Sequence, residues 1–192
     1  MEDWEIKIGC GTALGLVAFF TVNSALHPIM SLVNRHIDSG DNTVVLSNDY
    51  NPNNDDGMFS GGRVDYFMYP PVMLRHNLRG RHVDWYSNAT LDQTLDALKD
   101  PQYKNIVFIG HGSRTSYDAA NGVLAVKNLN HLAEEIPIRD GDFAQHTCGG
   151  WREGTSLREF LYPTSDSGDV GFDRDVNVYE NYALAWIGVI GS

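Results

Sequence analysis

Cysteine is close to absent from this chain. Cys10 and Cys148 are the only two in 192 residues, which excludes a disulfide framework, and no CxxC or Cys/His spacing suggests a structural zinc site. Positive charge is also scarce. Fourteen Lys and Arg stand against 25 Asp and Glu, for a net charge of −11, which argues against a nucleic-acid groove, since such grooves bind through clustered basic side chains. Internal repeats and low-complexity tracts are lacking too, so neither a solenoid nor a disordered tail is indicated. What remains is a hydrophobic fraction of 42%, ordinary for a globular protein, in a length that suits one domain with an appended segment.

Long uncharged runs are equally rare. The exception is residues 8–26, nineteen in a row without a charge, enough for a transmembrane helix although diluted by three glycines and four polar residues. The leader before it, Met1-Glu2-Asp3-Trp4-Glu5, is acidic, where a cleaved signal peptide carries positive charge. The expectation is a membrane-anchored protein held through residues 8–26. The alternative is a soluble cytoplasmic chain in which this helix is buried or packs on a partner. Residues 1–38 then form an N-terminal hydrophobic segment and linker, and residues 39–192 the main domain.

Within that domain, Thr43-Val44-Val45-Leu46-Ser47 reads as a buried strand. Residues 48–62 are rich in Asn, Asp and Gly and read as a loop; their spacing fails the EF-hand pattern. A helix is expected from near Pro71 to Gly80, because proline suits a first helical turn. His82 to Tyr86 alternates as a strand. Thr90 is positioned to cap a helix carrying Leu91, Leu95 and Leu98. Residues 113–121 read as a polar loop, followed by a helical run through Leu129, Leu132 and Ile136 that Pro137 ends. Residues 155–161 suggest a short helix and Val170-Gly171-Phe172 a further strand. Strands alternating with helices predict an α/β fold, a three-layer sandwich around a mainly parallel sheet.

Two strand ends carry the chemistry. Ile106-Val107-Phe108-Ile109 is an apolar run of the kind buried on both faces, and it ends in Gly110-His111-Gly112. A second stretch, residues 142–150, ends in His146-Thr147-Cys148-Gly149-Gly150. Ligands of parallel α/β sheets bind at the carboxyl ends of the strands, so an imidazole and a thiol are expected at one edge, 148 − 111 = 37 residues apart in sequence. Cysteine attacks as a thiolate, and a nearby imidazole lowers its pKa or takes its proton. Backbone N–H groups next to small residues, those of Gly112 and of Cys148 itself, are candidate oxyanion donors. His146 is a competing base or a pocket wall. A rival nucleophile, Ser113, lacks the Gly-x-Ser-x-Gly elbow, because His111 sits where the serine should be.

The ordered pair of motifs, an apolar strand ending in His111-Gly112 and then one ending in Cys148-Gly149-Gly150, resembles the caspase-like superfamily of cysteine peptidases, to which caspases, legumains and gingipains belong. The chain departs from the caspase pattern in two places. His146-Thr147 stands where Gln-Ala is expected, and the His-to-Cys separation is shorter than the roughly fifty residues of caspases. The resemblance implies a caspase-like sheet, a peptide or protein substrate, an acyl-enzyme on Cys148 with His111 as acid and base, and no metal or cofactor. It also implies a pocket for the side chain before the scissile bond: Asp142 or Asp173 would favour a basic side chain, Arg114 or Arg152 an acidic one. The non-enzymatic alternative is a membrane-tethered interaction module that keeps the fold.

Overall fold

A computed structural model describes residues 21–48, 63–147, 156–163, 170–171, 182–183 and 185–187. Its centre is a five-stranded sheet in which every neighbouring pair is parallel. The chain enters through a helix, α1 (21–34), then strand β1 (Asn42–Asn48), α2 (Arg63–Leu78), β2 (Val83–Tyr86), α3 (Leu91–Lys99) and β3 (Tyr103–Gly110). A small antiparallel sheet follows, made of β4 (Gly112–Ser113), β5 (Ser116–Ala119) and β6 (Gly122–Ala125). After α4 (Val126–Leu129) and a 3-10 turn come β7 (Phe143–His146), α5 (Leu157–Leu161) and β8 (Val170–Gly171). The spatial order of the main sheet is β2-β1-β3-β7-β8.

Alternation along the strands sends side chains to two separate cores. Val44, Leu46, Ile106, Phe108 and Phe143 pack with α3, Tyr117, Leu124 and α5 on one face. Val45, Val107, Ile109 and Ala144 pack with Met30 of α1 and Met68, Val72 and Met73 of α2 on the other. Both faces are therefore dry, which is why β3 carries four apolar residues without interruption. Helix, sheet and helix make the expected three layers.

The connections leaving β1 and β2 run along opposite faces, because α2 belongs to the second core and α3 to the first. Strand order reverses between β1 and β3, and at such a reversal the carboxyl ends leave a crevice. Asn48 ends β1 and pairs with Gly110, which ends β3.

Helix α3 forms as expected, with Thr90 accepting from the Gln93 backbone N–H at 3.2 Å while the Gln93 side chain accepts from the Thr90 N–H at 2.9 Å, a reciprocal cap. Helix α2 differs from expectation. It starts at Arg63 and runs through Pro70 and Pro71. Proline at 70 has no N–H for the Tyr66 carbonyl one turn earlier. That carbonyl is satisfied from α1 instead, by Asn23 Nδ2 at 2.8 Å and by His27 Nε2 at 2.8 Å, while the His27 ring stacks on Tyr66 and Tyr69.

Helix α1 also closes the sheet's outer edge. The Asn34 carboxamide accepts from the Val83 N–H at 2.8 Å and donates to the Val83 carbonyl at 2.9 Å, so it stands in for one peptide unit beside β2. No helix among the described residues is long and apolar enough to cross a membrane. Of the stretch 8–26, residues 21–26 are described, as part of α1, with Asn23 buried and Val22 exposed; residues 8–20 lie outside the described set, as do residues 49–62 of the loop expected over 48–62, whose first residue, Asn48, ends β1.

The region after His111 was expected to be a polar loop and forms the antiparallel sheet β4-β5-β6. Tyr117 and Ala119 point into the core while Ser116 and Asp118 do not, so a two-residue alternation is present within a stretch of turn-forming residues. The helical run that follows is correspondingly shorter than expected, four residues and a 3-10 turn.

Candidate functional site

His111 stands at the carboxyl end of β3, exposed, between two glycines of left-handed backbone. At Gly110, φ is +128° and an added Cβ would come 1.9 Å from the Asn48 carbonyl oxygen. Only glycine fits between β1 and the turn. At Gly112, φ is +154° and a Cβ would meet the Ser116 carbonyl at 2.6 Å, so the chain folds back at once into the β4-β5 hairpin. The His111 carbonyl accepts from the Asp118 N–H at 3.1 Å, which fixes the histidine backbone on both sides of the hairpin.

Strand β7 lies directly beside β3 and parallel to it, with Ile109 opposite His146. The end of β7 and the histidine turn therefore share one edge of the sheet. Thr147 is buried there and is the last described residue before Cys148. Cys148, Arg152 and Asp173 lie outside the described residues. Arg114 does not: it is half-buried in the hairpin that follows His111, and its carbonyl accepts from the Leu157 N–H at 3.0 Å.

His146 is 2% exposed and faces the second core. With Val72, His76 and Ala144 it lines a small cavity under α2, which makes it a wall of the sheet interior and not an open base. In the same layer His76 contacts Thr43 Oγ1 through Nδ1 at 3.0 Å. Burial, then the charges of Arg75 and Arg81, push the His76 imidazole down to about 3, so it is neutral at physiological pH.

Asp142 requires a correction as a pocket residue. It precedes β7, so it stands at the amino end of a strand whose carboxyl end faces the crevice, about 13 Å of strand away. Its carboxylate is held there by Arg79 and Arg81. Burial would raise this carboxyl, but the Arg81 hydrogen bond and the charges of Arg81, Arg79 and Arg75 outweigh it and hold the group below its ordinary value. Asp142 is an ion-pair anchor between the α2-β2 turn and the start of β7.

Ser113 is likewise engaged elsewhere. Its hydroxyl meets Ser116 Oγ at 2.8 Å and Thr115 Oγ1 at 3.4 Å, and neither is a base. Among the described residues no group of three or more His, Cys, Asp or Glu side chains gathers to hold a metal ion.

Two carboxamides at this edge are not evident from motif reading. Asn48 Nδ2 donates to the Asp118 carbonyl at 2.7 Å from the β1 side. Gln145 Nε2 donates to the Ser113 carbonyl at 2.6 Å from the β7 side. No protein-family model matches the chain, and no curated protein matches it.

Proposed function

We propose that this chain is a cysteine peptidase of the caspase-like kind, cleaving peptide bonds with Cys148 as nucleophile and His111 as acid and base. The observation that carries this reading is the adjacency of β3 and β7, parallel and in register, which puts the His111 turn and the strand leading to Cys148 at one carboxyl edge of the sheet, beside the β1-β3 reversal. His111 takes the thiol proton, and the thiolate attacks the scissile carbonyl carbon. The amine then leaves with the proton carried by the imidazole, giving a thioester. Water, deprotonated by the same imidazole, attacks the thioester and releases the acid and the thiol. The N–H groups of Gly112 and Cys148 are the donors assigned to the oxyanion.

Arg114 is the pocket candidate that stays on the hairpin of His111, and Asp142 is held at the far edge. This favours an acidic side chain before the scissile bond. Membrane association through residues 8–26 belongs to the same proposal, and flotation of the full chain with anionic vesicles tests it: recovery in the pellet would overturn it.

Iodoacetamide labelling of Cys148, followed by mass spectrometry, tests the dyad. Fast labelling near neutral pH should disappear in Cys148→Ala and slow about tenfold or more in His111→Ala, as the thiol returns to its ordinary pKa near 8.5. Equal labelling rates in wild type and His111→Ala would leave a caspase-like binding module with no peptidase chemistry. Peptide cleavage that survives Cys148→Ala would also overturn the proposal.

A further inference from the structure

The His111 hairpin is not held by its own turn alone. It is gripped from the strands on both sides of β3, and in each case the grip is a buried carboxamide donating to backbone carbonyls. From β1, Asn48 donates to the carbonyl of Asp118, whose N–H in turn donates to the carbonyl of His111. From β7, the fully buried Gln145 donates to the Ser113 carbonyl at 2.6 Å, with the Ser116 carbonyl at 3.3 Å sharing the same side. Its other N–H reaches Thr147 Oγ1 at 2.9 Å.

The direction of these bonds matters. Carbonyl oxygens accept only, so the Gln145 nitrogen must face the hairpin, and its Oε1 is buried with no hydrogen-bond partner among the described residues. A buried polar atom left unpaired is costly, and leucine or methionine would fill this space without that cost. The amide is thus explained by what its N–H groups join. They join the turn two residues past His111 to the residue immediately before Cys148.

We propose that Gln145 is a positioning residue for the dyad: it locks the hairpin that carries the imidazole to the strand end that carries the thiol, and so sets their separation. This inference rests on the Cys148/His111 reading above. A shift of the order of 1 Å between reacting groups costs up to about 100-fold in rate, and a side chain that bridges the two supports is where such a shift would originate. Glutamate at 145 would put acceptor against acceptor at Ser113. Asparagine keeps the amide but is one methylene short of the carbonyl.

The test is a double-mutant cycle on the full chain, reading the iodoacetamide rate at Cys148 from pH 5 to 10. Gln145→Leu and Gln145→Asn should each slow labelling at pH 7 about 10-fold and move the midpoint of the pH profile up toward that of a free thiol, near 8.5. In a His111→Ala background the same changes should add nothing, because their effect passes through the imidazole. Leu98→Ala, a core truncation in α3, controls for stability: it should lower the melting temperature and leave the pH profile in place. If Gln145→Leu does not fold, Asn48→Ala loosens the opposite grip and should move the profile in the same direction. An unmoved profile in the Gln145 variants, with His111→Ala still slow, would overturn the positioning role alone. Equal rates in wild type and His111→Ala would overturn the dyad, and the positioning role with it.

Discussion

Replacing Gly110 by alanine separates two costs that usually come together, the strain of a left-handed backbone and a steric collision. At Gly110 both are present: φ is +128°, and the new Cβ would lie 1.9 Å from the Asn48 oxygen and 2.9 Å from its carbonyl carbon. Asn48 belongs to a strand buried between two layers and flanked by β2 and β3, so it cannot retreat. Gly80 carries the first cost without the second, with φ at +70° and nothing within 4 Å of the added atom, and Gly40 carries neither. Gly40→Ala should therefore leave stability unchanged or raise it by up to about 1 kcal/mol. Gly80→Ala should lose about 1–2 kcal/mol. Gly110→Ala adds about 1–3 kcal/mol of overpacking to that strain, roughly 2–5 kcal/mol together. With an m-value of about 2 kcal/mol/M, its urea midpoint should fall by about 1–2.5 M, read by tryptophan fluorescence and far-UV circular dichroism. A Gly110→Ala midpoint no lower than that of Gly80→Ala would refute the reasoning, because the Asn48 contact would then cost nothing.

Three further outcomes are expected. His76, held at about 3 in the folded chain by burial and its arginine neighbours, titrates near 6.5 when unfolded, so the unfolded state binds the extra proton between those values. Stability is then complete above pH 6.5 and falls on acidification, by about 2 kcal/mol from pH 6.5 to 5. His76→Gln should flatten that slope, and a wild-type curve already flat between pH 7 and 5 would contradict it. Arg139 donates to the carbonyls of Tyr103 at 2.8 Å and Pro137 at 2.9 Å and to those of Leu98 and Asp100. Arg139→Met should therefore cost about 2–4 kcal/mol, or roughly 4–16 °C by calorimetry, and lysine, which lacks the planar fork, should not restore it. Finally, Asn23→Ala with His27→Ala should cost about 1–3 kcal/mol by removing the two α1 donors to the Tyr66 carbonyl. Pro70→Ala, which supplies the missing N–H, should recover much of that loss in chemical denaturation while adding little to the wild type.

Strands were legible where burial on both faces left an uninterrupted apolar run, as in Ile106 to Ile109, and helix α3 was legible because its cap, Thr90, declared itself. Reading failed where the deciding partner is distant in the chain. Pro70-Pro71 looks like a helix start because the donors that let a helix pass through it, Asn23 and His27, are more than forty positions earlier. The hairpin after His111 was hidden because its inward residues, Tyr117 and Ala119, alternate with Ser116 and Asp118, which locally favour turns. At the site, His111 was legible from its glycines. Asp142 was misplaced because composition carries no strand direction, and once β7 is known to run parallel to β3 the residue just before it stands at the end away from the crevice. Asn48 and Gln145 gave no motif, since what distinguishes them is the backbone they reach and not the residues beside them.

The Asn34 carboxamide beside Val83 has a consequence for handling the protein. Strand β2 is an outermost strand of the main sheet, and exposed strand borders are templates on which other chains add by backbone pairing. One side chain on α1 occupies the Val83 donor and acceptor at that border. Trimming the protein to begin after residue 38 would uncover them and favour intermolecular strand addition and precipitation.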